Sequence, residues 1–145
     1  MVQATPFFLL LFLALGADGV SAEKCSLMGH WINDLGSNMT IESVNANGDF
    51  TGTYYTAVSV HPVKVEKSPL LGSQHVSDQP NHQPTFGFTV HWTFSDSIAV
   101  FTGQCFVDDG KEVLKTMWLL RSHVDELRDD WKATRVGYNE FKRLE

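Results

Sequence analysis

The feature that most constrains the fold is a run in which every second residue is large and apolar. These residues are Phe86, Phe88, Val90, Trp92 and Phe94, and small or polar residues lie between them. Successive side chains of a β-strand point to opposite faces, so this spacing predicts a strand with one apolar face. Similar short runs recur between turn residues, and no helical stripe of useful length interrupts them. The sequence therefore predicts an all-β protein.

The dipeptides Asp109-Gly110 and Asn47-Gly48 predict tight hairpin turns, because such pairs readily adopt positive φ angles. A single helical turn is expected within 122–130. Since most connections are of hairpin length, sequential neighbours are expected to pair into an eight-stranded antiparallel up-and-down β-barrel, with room inside for one small ligand. The predicted strands cover 29–33, 38–45, 49–58, 65–74, 85–94, 97–108, 111–121 and 131–142.

The first 22 residues are typical of a secretory signal peptide. Residues 7–15 are almost wholly apolar, and Val20-Ser21-Ala22 provides small residues for cleavage. The mature domain is therefore expected over 23–145, outside the cell. No other run has the length and apolar character of a membrane span.

Two cysteines, Cys25 and Cys105, follow the predicted cleavage point. In a secreted protein such a pair predicts one disulfide, and two buried free thiols are the alternative. Asn38 begins the sequon Asn-Met-Thr and is a candidate glycosylation site close to a predicted strand.

The charge and motif content argue against several functional classes. The formal net charge is −6, and no basic cluster follows one face, so nucleic acid and anionic membranes are poor partners. The six histidines form no metal-binding motif, and no nucleophile elbow or phosphate-binding loop occurs. We therefore expect neither an enzyme nor a bound metal or catalytic cofactor.

Neutral polar side chains are instead set among aromatic residues on the predicted strand faces. An aromatic cavity with a few hydroxyls and amides suits a small ligand with a polar, uncharged head group. Surface hydroxyls and core tryptophans are the alternative interpretation. The polar residues are Asn33, Ser37, Tyr54, Thr56, Ser95, Ser97 and Asn139, and the aromatic ones are Trp31, Trp92, Phe101, Trp118 and Trp131.

Several long stretches resemble the avidin family, and the likeness covers essentially the whole mature chain. The longest is CSLMGHWINDLGSNMT at 25–40. The others lie at 50–54, 83–95, 101–106, 111–122 and 129–139. This resemblance implies a secreted protein that binds biotin with high affinity and sequesters or carries it.

The resemblance also implies a role for each site residue. Asn33, Ser37 and Tyr54 are expected to donate to the ureido oxygen of biotin, and Thr56 and Asn139 to accept from its N–H groups. The carboxylate is expected to meet hydroxyl and backbone N–H groups, with no Lys or Arg partner. The expected apolar contacts are Leu35, Val58, Trp92, Phe94, Phe101, Trp118 and Leu120, and the expected carboxylate contacts are Ser59, Val60, His61, Ser95 and Ser97.

A homotetramer is part of what the resemblance implies. Trp131 is expected to close the site of a neighbouring subunit, and Met117, Val136 and Tyr138 match subunit-interface positions. Ala99 departs from the family pattern, which usually has a hydroxyl residue near the biotin sulfur. Losing that weak hydrogen bond is expected to lower the affinity by up to about tenfold.

Two other classes of protein are weighed as alternatives. A lipocalin-like carrier of a small hydrophobic ligand would also contain Gly-x-Trp, as at Gly29-His30-Trp31. The mature chain is short for that class and shows no long helix after the barrel. A secreted hydrolase would need a nucleophile, a base and an orienting group, which cannot be assembled from this sequence.

Overall fold

A computed structural model describes residues 24–59 and 64–145 of the chain. The signal peptide predicted for 1–22 lies outside the described residues, as do Val60 and His61. In the described part of the chain, no helix has the length and apolar character needed to cross a membrane. The elements are β1 (Gly29–Asn33), β2 (Asn38–Val44), β3 (Asp49–Tyr55), β4 (Ser68–Gln74), β5 (Thr85–His91), β6 (Ile98–Asp108), β7 (Lys111–Arg121), a 3-10 helix (Leu127–Lys132) and β8 (Thr134–Arg143).

The strands form a closed barrel in which each strand pairs with its neighbours in sequence and β8 returns to β1. All of these pairings are antiparallel. At the seam, Trp31 lies opposite Arg143 and Asn33 lies opposite Phe141. The predicted fold class, an all-β, eight-stranded, up-and-down barrel, is confirmed.

The alternation that predicted β5 separates the inside of the barrel from the outside. Phe86, Phe88 and Val90 are buried, whereas Thr89 is exposed. Inside the barrel, the rings of Phe88 and Phe101 stack with their centroids 4.6 Å apart. Burial of these large apolar surfaces is the main stabilising contribution of the strand.

One end of the barrel is closed by large side chains. Leu27 and Trp31 are fully buried there. The Nε1 of Trp31 donates to the carbonyl of Leu27 at 2.8 Å, and the Arg143 guanidinium lies 4.2 Å from the centre of the Trp31 ring. This packing leaves the opposite end, where β1, β3, β5 and β7 finish, as the open end.

Cys25 and Cys105 form a disulfide at the closed end. The predicted pairing is confirmed, and the alternative of two free thiols is wrong. The two residues are 80 positions apart. Closing a loop of that length restricts the unfolded chain and contributes about 4.5 kcal/mol on a loop-entropy model.

Both predicted hairpin turns are present. Between β2 and β3, the N–H of Gly48 donates to the carbonyl of Asn45 at 3.0 Å, and Gly48 has a φ of 89°. Between β6 and β7, Asp109 and Gly110 have φ angles of 50° and 76°. Few residue types adopt such angles without strain, which is why these dipeptides were informative.

The strand predicted over 49–58 ends earlier, at Tyr55. Its predicted last residues leave the sheet because the Thr56 hydroxyl donates to the carbonyl of Val58 at 2.7 Å. A side chain that bonds its own backbone two residues on competes with the bonds of a strand ladder.

Two further strands, predicted over 65–74 and 85–94, are also shorter than expected. Next to the residues that were predicted as strand but lie outside it, the backbone N–H of Thr93 donates to the Oγ of Ser68 at 3.1 Å. This side-chain bond replaces a backbone bond between the strands.

The last strand begins at Thr134 and not at Trp131 as predicted. Trp131 belongs to the 3-10 helix, where the N–H of Ala133 donates to the carbonyl of Asp130 at 3.0 Å. The helical turn expected within 122–130 therefore lies slightly later in the chain. The ends of β2, β6 and β8 also differ from the predicted ones by one residue each.

Candidate ligand-binding site

The open end of the barrel holds a cavity of about 250 Å3. Ala99, the departure from the family pattern, lies on its lining. Within the described residues, every predicted ligand-binding residue except Trp131 also lines it: Asn33, Leu35, Ser37, Tyr54, Thr56, Val58, Ser59, Trp92, Phe94, Ser95, Ser97, Phe101, Trp118, Leu120 and Asn139. The structure thus brings these residues together, and their roles toward a ligand stay predictions.

The side-chain amide of Asn33, the last residue of β1, has a fixed direction. Its Oδ1 accepts hydrogen bonds from the backbone N–H groups of Leu35 at 3.0 Å and Ser37 at 2.9 Å. Gly36 has a φ of 87°, which lets the chain turn back at this point. Because the oxygen is occupied, Nδ2 is the atom that faces the Tyr54 hydroxyl, 3.3 Å away. Asn33 therefore offers an N–H donor to the cavity.

Two hydroxyl groups near Asn33 can also donate. The Oγ of Ser37 accepts a hydrogen bond from the N–H of Ala57 at 2.9 Å, which leaves its own hydrogen to be donated elsewhere. Tyr54 is buried, and this burial raises the pKa of its phenol well above the ordinary value, although hydrogen bonds with Ser37 and Asn33 act in the opposite direction. The phenol therefore keeps its proton at neutral pH and can donate.

Ionisation of Tyr54 is expected to cost the folded protein stability at high pH. Above about pH 10 the phenol ionises in the unfolded chain but stays protonated in the folded one, because its folded pKa is raised. Rising pH therefore favours unfolding, by up to about 1.4 kcal/mol per pH unit through this group. Denaturant unfolding of the unliganded protein across this pH range measures the effect. Tyr54→Phe should flatten the decline of the unfolding free energy with pH, whereas Tyr55→Phe, at the exposed neighbouring position, should not. Equal slopes of unfolding free energy against pH in the two variants would contradict the prediction.

Two further side chains offer oxygen acceptors. Since the Thr56 hydroxyl donates to the carbonyl of Val58, it can only accept toward the cavity. The Oδ1 of Asn139 accepts from the Nε1 of Trp118 at 2.8 Å, and its Nδ2 donates to the carboxylate of Asp34 at 2.8 Å. Because Trp118 lines the cavity, the oxygen is the amide atom on that side. The polar part of the site thus combines three neutral donors and two neutral acceptors.

Aromatic rings form the walls of the cavity. The ring centroids of Tyr54 and Trp92 lie 5.5 Å apart, and those of Trp92 and Phe94 lie 5.7 Å apart. Trp118 packs against Gly137, its partner in the β7–β8 register, where a Cβ would lie 2.2 Å from the indole. Gly137 therefore allows the Trp118 ring to approach the backbone of β8.

A second group of hydroxyls lines the cavity just before β6. The Oγ atoms of Ser95 and Ser97 lie 2.5 Å apart, and the N–H of Ser97 donates to the Oγ of Ser95 at 3.4 Å. Ser59 also lines the cavity. Such hydroxyls can donate to a carboxylate or another polar group of a ligand.

Sequence reasoning missed Arg135, which lines the cavity. It lies opposite Leu120 in the β7–β8 register, and its Nη1 donates to the Oγ of Ser122 at 3.4 Å. The predicted site contained no cation, and the structure adds one here. A signal was available, because Arg135, Gly137 and Asn139 occupy alternate positions of one strand and so share a face.

Trp131 does not line the cavity of its own chain, and its side chain is 83% exposed. The C-terminal half of the 3-10 helix that carries it is anchored to the rest of the chain. The Nη2 of Arg121 donates to the carboxylate of Asp130 at 2.5 Å, and the N–H of Ser122 donates to the carbonyl of Ala133 at 2.8 Å. The backbone next to Trp131 is therefore held in place, and its indole is exposed and open to contact with a second chain.

A metal centre finds no support in the described part of the chain. The group of potential ligands there comprises Cys25, Cys105 and Glu112. Both sulfur atoms belong to the disulfide, so neither provides the thiolate that metals bind.

Comparison with known proteins identifies the family. A family model described as the avidin family matches residues 21–144. Avidin of Gallus gallus is 62% identical over 148 residues, which cover 99% of this chain and 97% of that protein. Avidin-related protein 4/5 of Gallus gallus is 65% identical over 137 residues, covering 94% and 89% of the two chains. The X-ray structure of a biotin-binding protein from chicken matches with a TM-score of 0.81 at 53% identity, covering 84% of this chain and all of that one. The resemblance found in the sequence is confirmed: the chain belongs to the avidin family.

Proposed function

We propose that the protein binds biotin with high affinity and does not change it chemically. The observation that carries this proposal is the match between the polar groups of the cavity and the cyclic urea of biotin. A urea has one carbonyl oxygen, which accepts hydrogen bonds, and two N–H groups, which donate them. The cavity offers donors on Asn33, Ser37 and Tyr54 and acceptors on Thr56 and Asn139. Both the number and the polarity of these groups are complementary.

The three donors act together on the ureido oxygen. Three hydrogen bonds to one oxygen stabilise the negative charge drawn onto it, and this polarisation of the urea strengthens the hydrogen bonds that its N–H groups donate to Thr56 and Asn139. Asn33, Ser37 and Tyr54 are all buried. The charge is stabilised with no bond being broken, so the arrangement favours binding and not catalysis.

The apolar part of biotin fits the aromatic walls. The rings of Trp92, Phe101 and Trp118 surround the bicyclic system, and Leu35, Val58, Phe94 and Leu120 are assigned as further contacts along the cavity. Ala99 offers no hydroxyl to the ring sulfur, which costs about 0.5–1.5 kcal/mol of binding free energy.

The carboxylate of biotin is assigned to the hydroxyls of Ser59, Ser95 and Ser97. The backbone N–H groups of Val60 and His61, which follow Ser59 in the sequence, are proposed to complete this site. These groups can surround a carboxylate without an ion pair.

The donors and acceptors are fixed before the ligand arrives. The Asn33 amide is held by two backbone N–H groups, and the Asn139 amide is held by Trp118 and Asp34. Because these side chains need little further ordering, more of the interaction energy appears as affinity.

We also propose that the chain forms a homotetramer, as the avidin resemblance implies. Met117 lies opposite Tyr138 on the outside of the barrel, and Leu119 lies opposite Val136. All four side chains are exposed, Tyr138 by 76%. A continuous apolar surface of this kind is typical of a subunit interface. Trp131 is proposed to reach from one subunit across the cavity of its neighbour.

Secretion is proposed from the signal peptide predicted for 1–22 and is supported by the Cys25–Cys105 disulfide, since such bonds persist in oxidising compartments. Asn38 is exposed at the start of β2 and is proposed as the glycosylation site. Outside the cell, the protein would sequester or carry free biotin.

A lipocalin-like carrier of a hydrophobic ligand is not favoured. A purely apolar ligand would leave the buried donors and acceptors of the cavity without partners, which costs about 1–3 kcal/mol for each group. Membership of the avidin family points in the same direction.

Adding biotin to the protein tests the proposal. We expect quenching of tryptophan emission, because Trp92 and Trp118 line the cavity. We also expect a large rise in Tm, because a ligand that binds only the folded state stabilises it by about 4 kcal/mol at a thousand times its Kd. Fluorescence titration and calorimetry measure these effects. Stabilisation by retinol or a fatty acid, but not by biotin, would contradict the proposal and favour the lipocalin alternative.

A further inference from the structure

Asp34 lies outside the cavity but is bonded to one of its polar groups. Its Oδ1 accepts hydrogen bonds from the Nδ2 of Asn139 at 2.8 Å and from the backbone N–H of Glu140 at 3.3 Å. Its own N–H donates to the carbonyl of Glu140 at 3.1 Å. Three hydrogen bonds therefore tie Asp34 to β8, and its side chain lines a separate groove on the outside of the barrel.

A side-chain amide can adopt two orientations that exchange its oxygen and its nitrogen. At Asn139 only one of them satisfies both neighbours. The Nε1 of Trp118 can only donate and therefore needs the oxygen, whereas the carboxylate of Asp34 can only accept and therefore needs the nitrogen. In the reversed orientation, the amide nitrogen would face the N–H donor of Trp118, and the amide oxygen would face the carboxylate acceptor of Asp34. Because Asn139 is buried, no water would separate these like groups.

We propose that Asp34 is a positioning residue for ligand binding, which holds the amide of Asn139 so that its oxygen accepts from an N–H group of the ligand. This inference rests on the proposed function, because the N–H group is one of the two in the ureido ring of biotin. Asp34 also polarises the amide, since a negatively charged acceptor on the nitrogen makes the oxygen a stronger acceptor.

The charges around Asp34 leave its carboxylate available for this role. In the outer groove, Lys115 is paired with Glu140, and Lys142 lines the same groove without an ion pair in the described part of the chain. None of the ion pairs among the described residues includes Asp34. Its side-chain hydrogen bonds go to Asn139 and to the backbone of β8.

Substitution of Asp34 by alanine tests the proposal. Asp34→Ala leaves the buried amide nitrogen of Asn139 without its acceptor, and we expect biotin to dissociate about tenfold to a hundredfold faster. Asp34→Asn keeps an acceptor oxygen but loses the charge, so its effect should be smaller, under about tenfold. Competition of labelled biotin with an excess of free biotin gives the rates.

Glu140→Gln is the matched control, because it changes an acid in the same outer groove that has no side-chain bond to Asn139. We expect its dissociation rate to equal that of the unmodified chain. A rate as fast as that of Asp34→Ala would show that the groove acts through its general charge or packing and would overturn the proposal.

A ligand analogue separates positioning from general loss of structure. In a cyclic carbamate analogue of biotin, an oxygen replaces the ureido N–H that faces Asn139. The unmodified chain should discriminate strongly against it, because two acceptors would then meet. In Asp34→Ala the Trp118 N–H still favours the present orientation, but a rotated amide no longer sets two acceptors against each other and can donate to the analogue, so the discrimination should fall by roughly a few-fold. If the ratio of the affinities for biotin and for the analogue were the same in Asp34→Ala as in the unmodified chain, this inference alone would be overturned. If the unmodified chain did not bind biotin, the proposed function would be overturned as well.

Discussion

Biotin is expected to leave a Trp131→Lys variant about a hundredfold faster than it leaves the unmodified protein. In a single chain the Trp131 indole is 83% exposed and lies away from the cavity. If the indole closes the cavity of a neighbouring subunit, burying it there contributes about 3 kcal/mol, and a lysine replaces that contact with a hydrated charge. The same change should shift the tetramer toward smaller species. Dissociation of labelled biotin and native mass spectrometry measure the two effects.

Leu127→Lys provides the matched control for Trp131→Lys. Leu127 belongs to the same 3-10 helix and is 91% exposed. If biotin were retained less well only because a charge was added to this helix, the loss of retention would be equal in both variants. We expect the Leu127 variant to retain biotin like the unmodified protein. An unaltered rate in Trp131→Lys would remove Trp131 from the site.

Mixed tetramers test whether Trp131 acts on the cavity of a neighbouring subunit. A Trp131→Lys subunit has an intact cavity, and a subunit with a defective cavity still carries its own Trp131. When the two variants are refolded together, some cavities receive the indole from the defective neighbour. Slow release should return for that fraction of sites, which could not happen if Trp131 acted within its own chain.

Most of the fold was predictable because two local signals agree. Alternation along β5 assigned its inner and outer faces, and the Asp109-Gly110 and Asn47-Gly48 dipeptides located two turns that require positive φ angles. Once strands and short turns are placed, pairing of sequential neighbours follows from the short connections.

The strand boundaries at the open end of the barrel were less predictable, since they depend on local hydrogen bonds that the periodicity of the sequence does not reveal. Thr56 keeps the apolar alternation of β3 but bonds the backbone of Val58 and leaves the sheet. Trp131 was predicted to begin the last strand, yet the bond between Ala133 and Asp130 places it on a 3-10 helix.

The residues around the cavity, and which of them donate or accept, were expected from the avidin resemblance, whereas the contacts that fix the polarity of each group required the structure. That Asn33 donates depends on two backbone N–H groups that occupy its oxygen. That Asn139 accepts depends on Trp118 and on Asp34, a residue 105 positions away in the chain. Contacts over such separations leave no periodic trace in a single sequence, and for this reason Asp34 was not predicted.

Changing Asn33 to aspartate is expected to weaken biotin binding by about a thousandfold. One carboxylate oxygen can still accept from the N–H groups of Leu35 and Ser37, as Oδ1 does now, so the local turn is retained. The other oxygen replaces the Nδ2 donor and places a negative charge against the ureido oxygen of biotin. Tyr54→Phe, which removes a donor without adding charge, should cost less, about tenfold to a hundredfold. Equilibrium competition with labelled biotin measures both losses.

A charged analogue of biotin shows whether Asn33 faces the ureido oxygen. In 2-iminobiotin a C=NH group replaces the C=O group, and at neutral pH this group is protonated and can only donate. The unmodified cavity offers donors in the same place and should reject the cation, whereas Asn33→Asp should bind it more tightly than the unmodified protein does. Tyr54→Phe should show no such gain, because it creates no acceptor. If Asn33→Asp lost biotin but gained nothing for the protonated analogue, its defect would be structural, and the assignment of Asn33 to the ureido oxygen would be wrong.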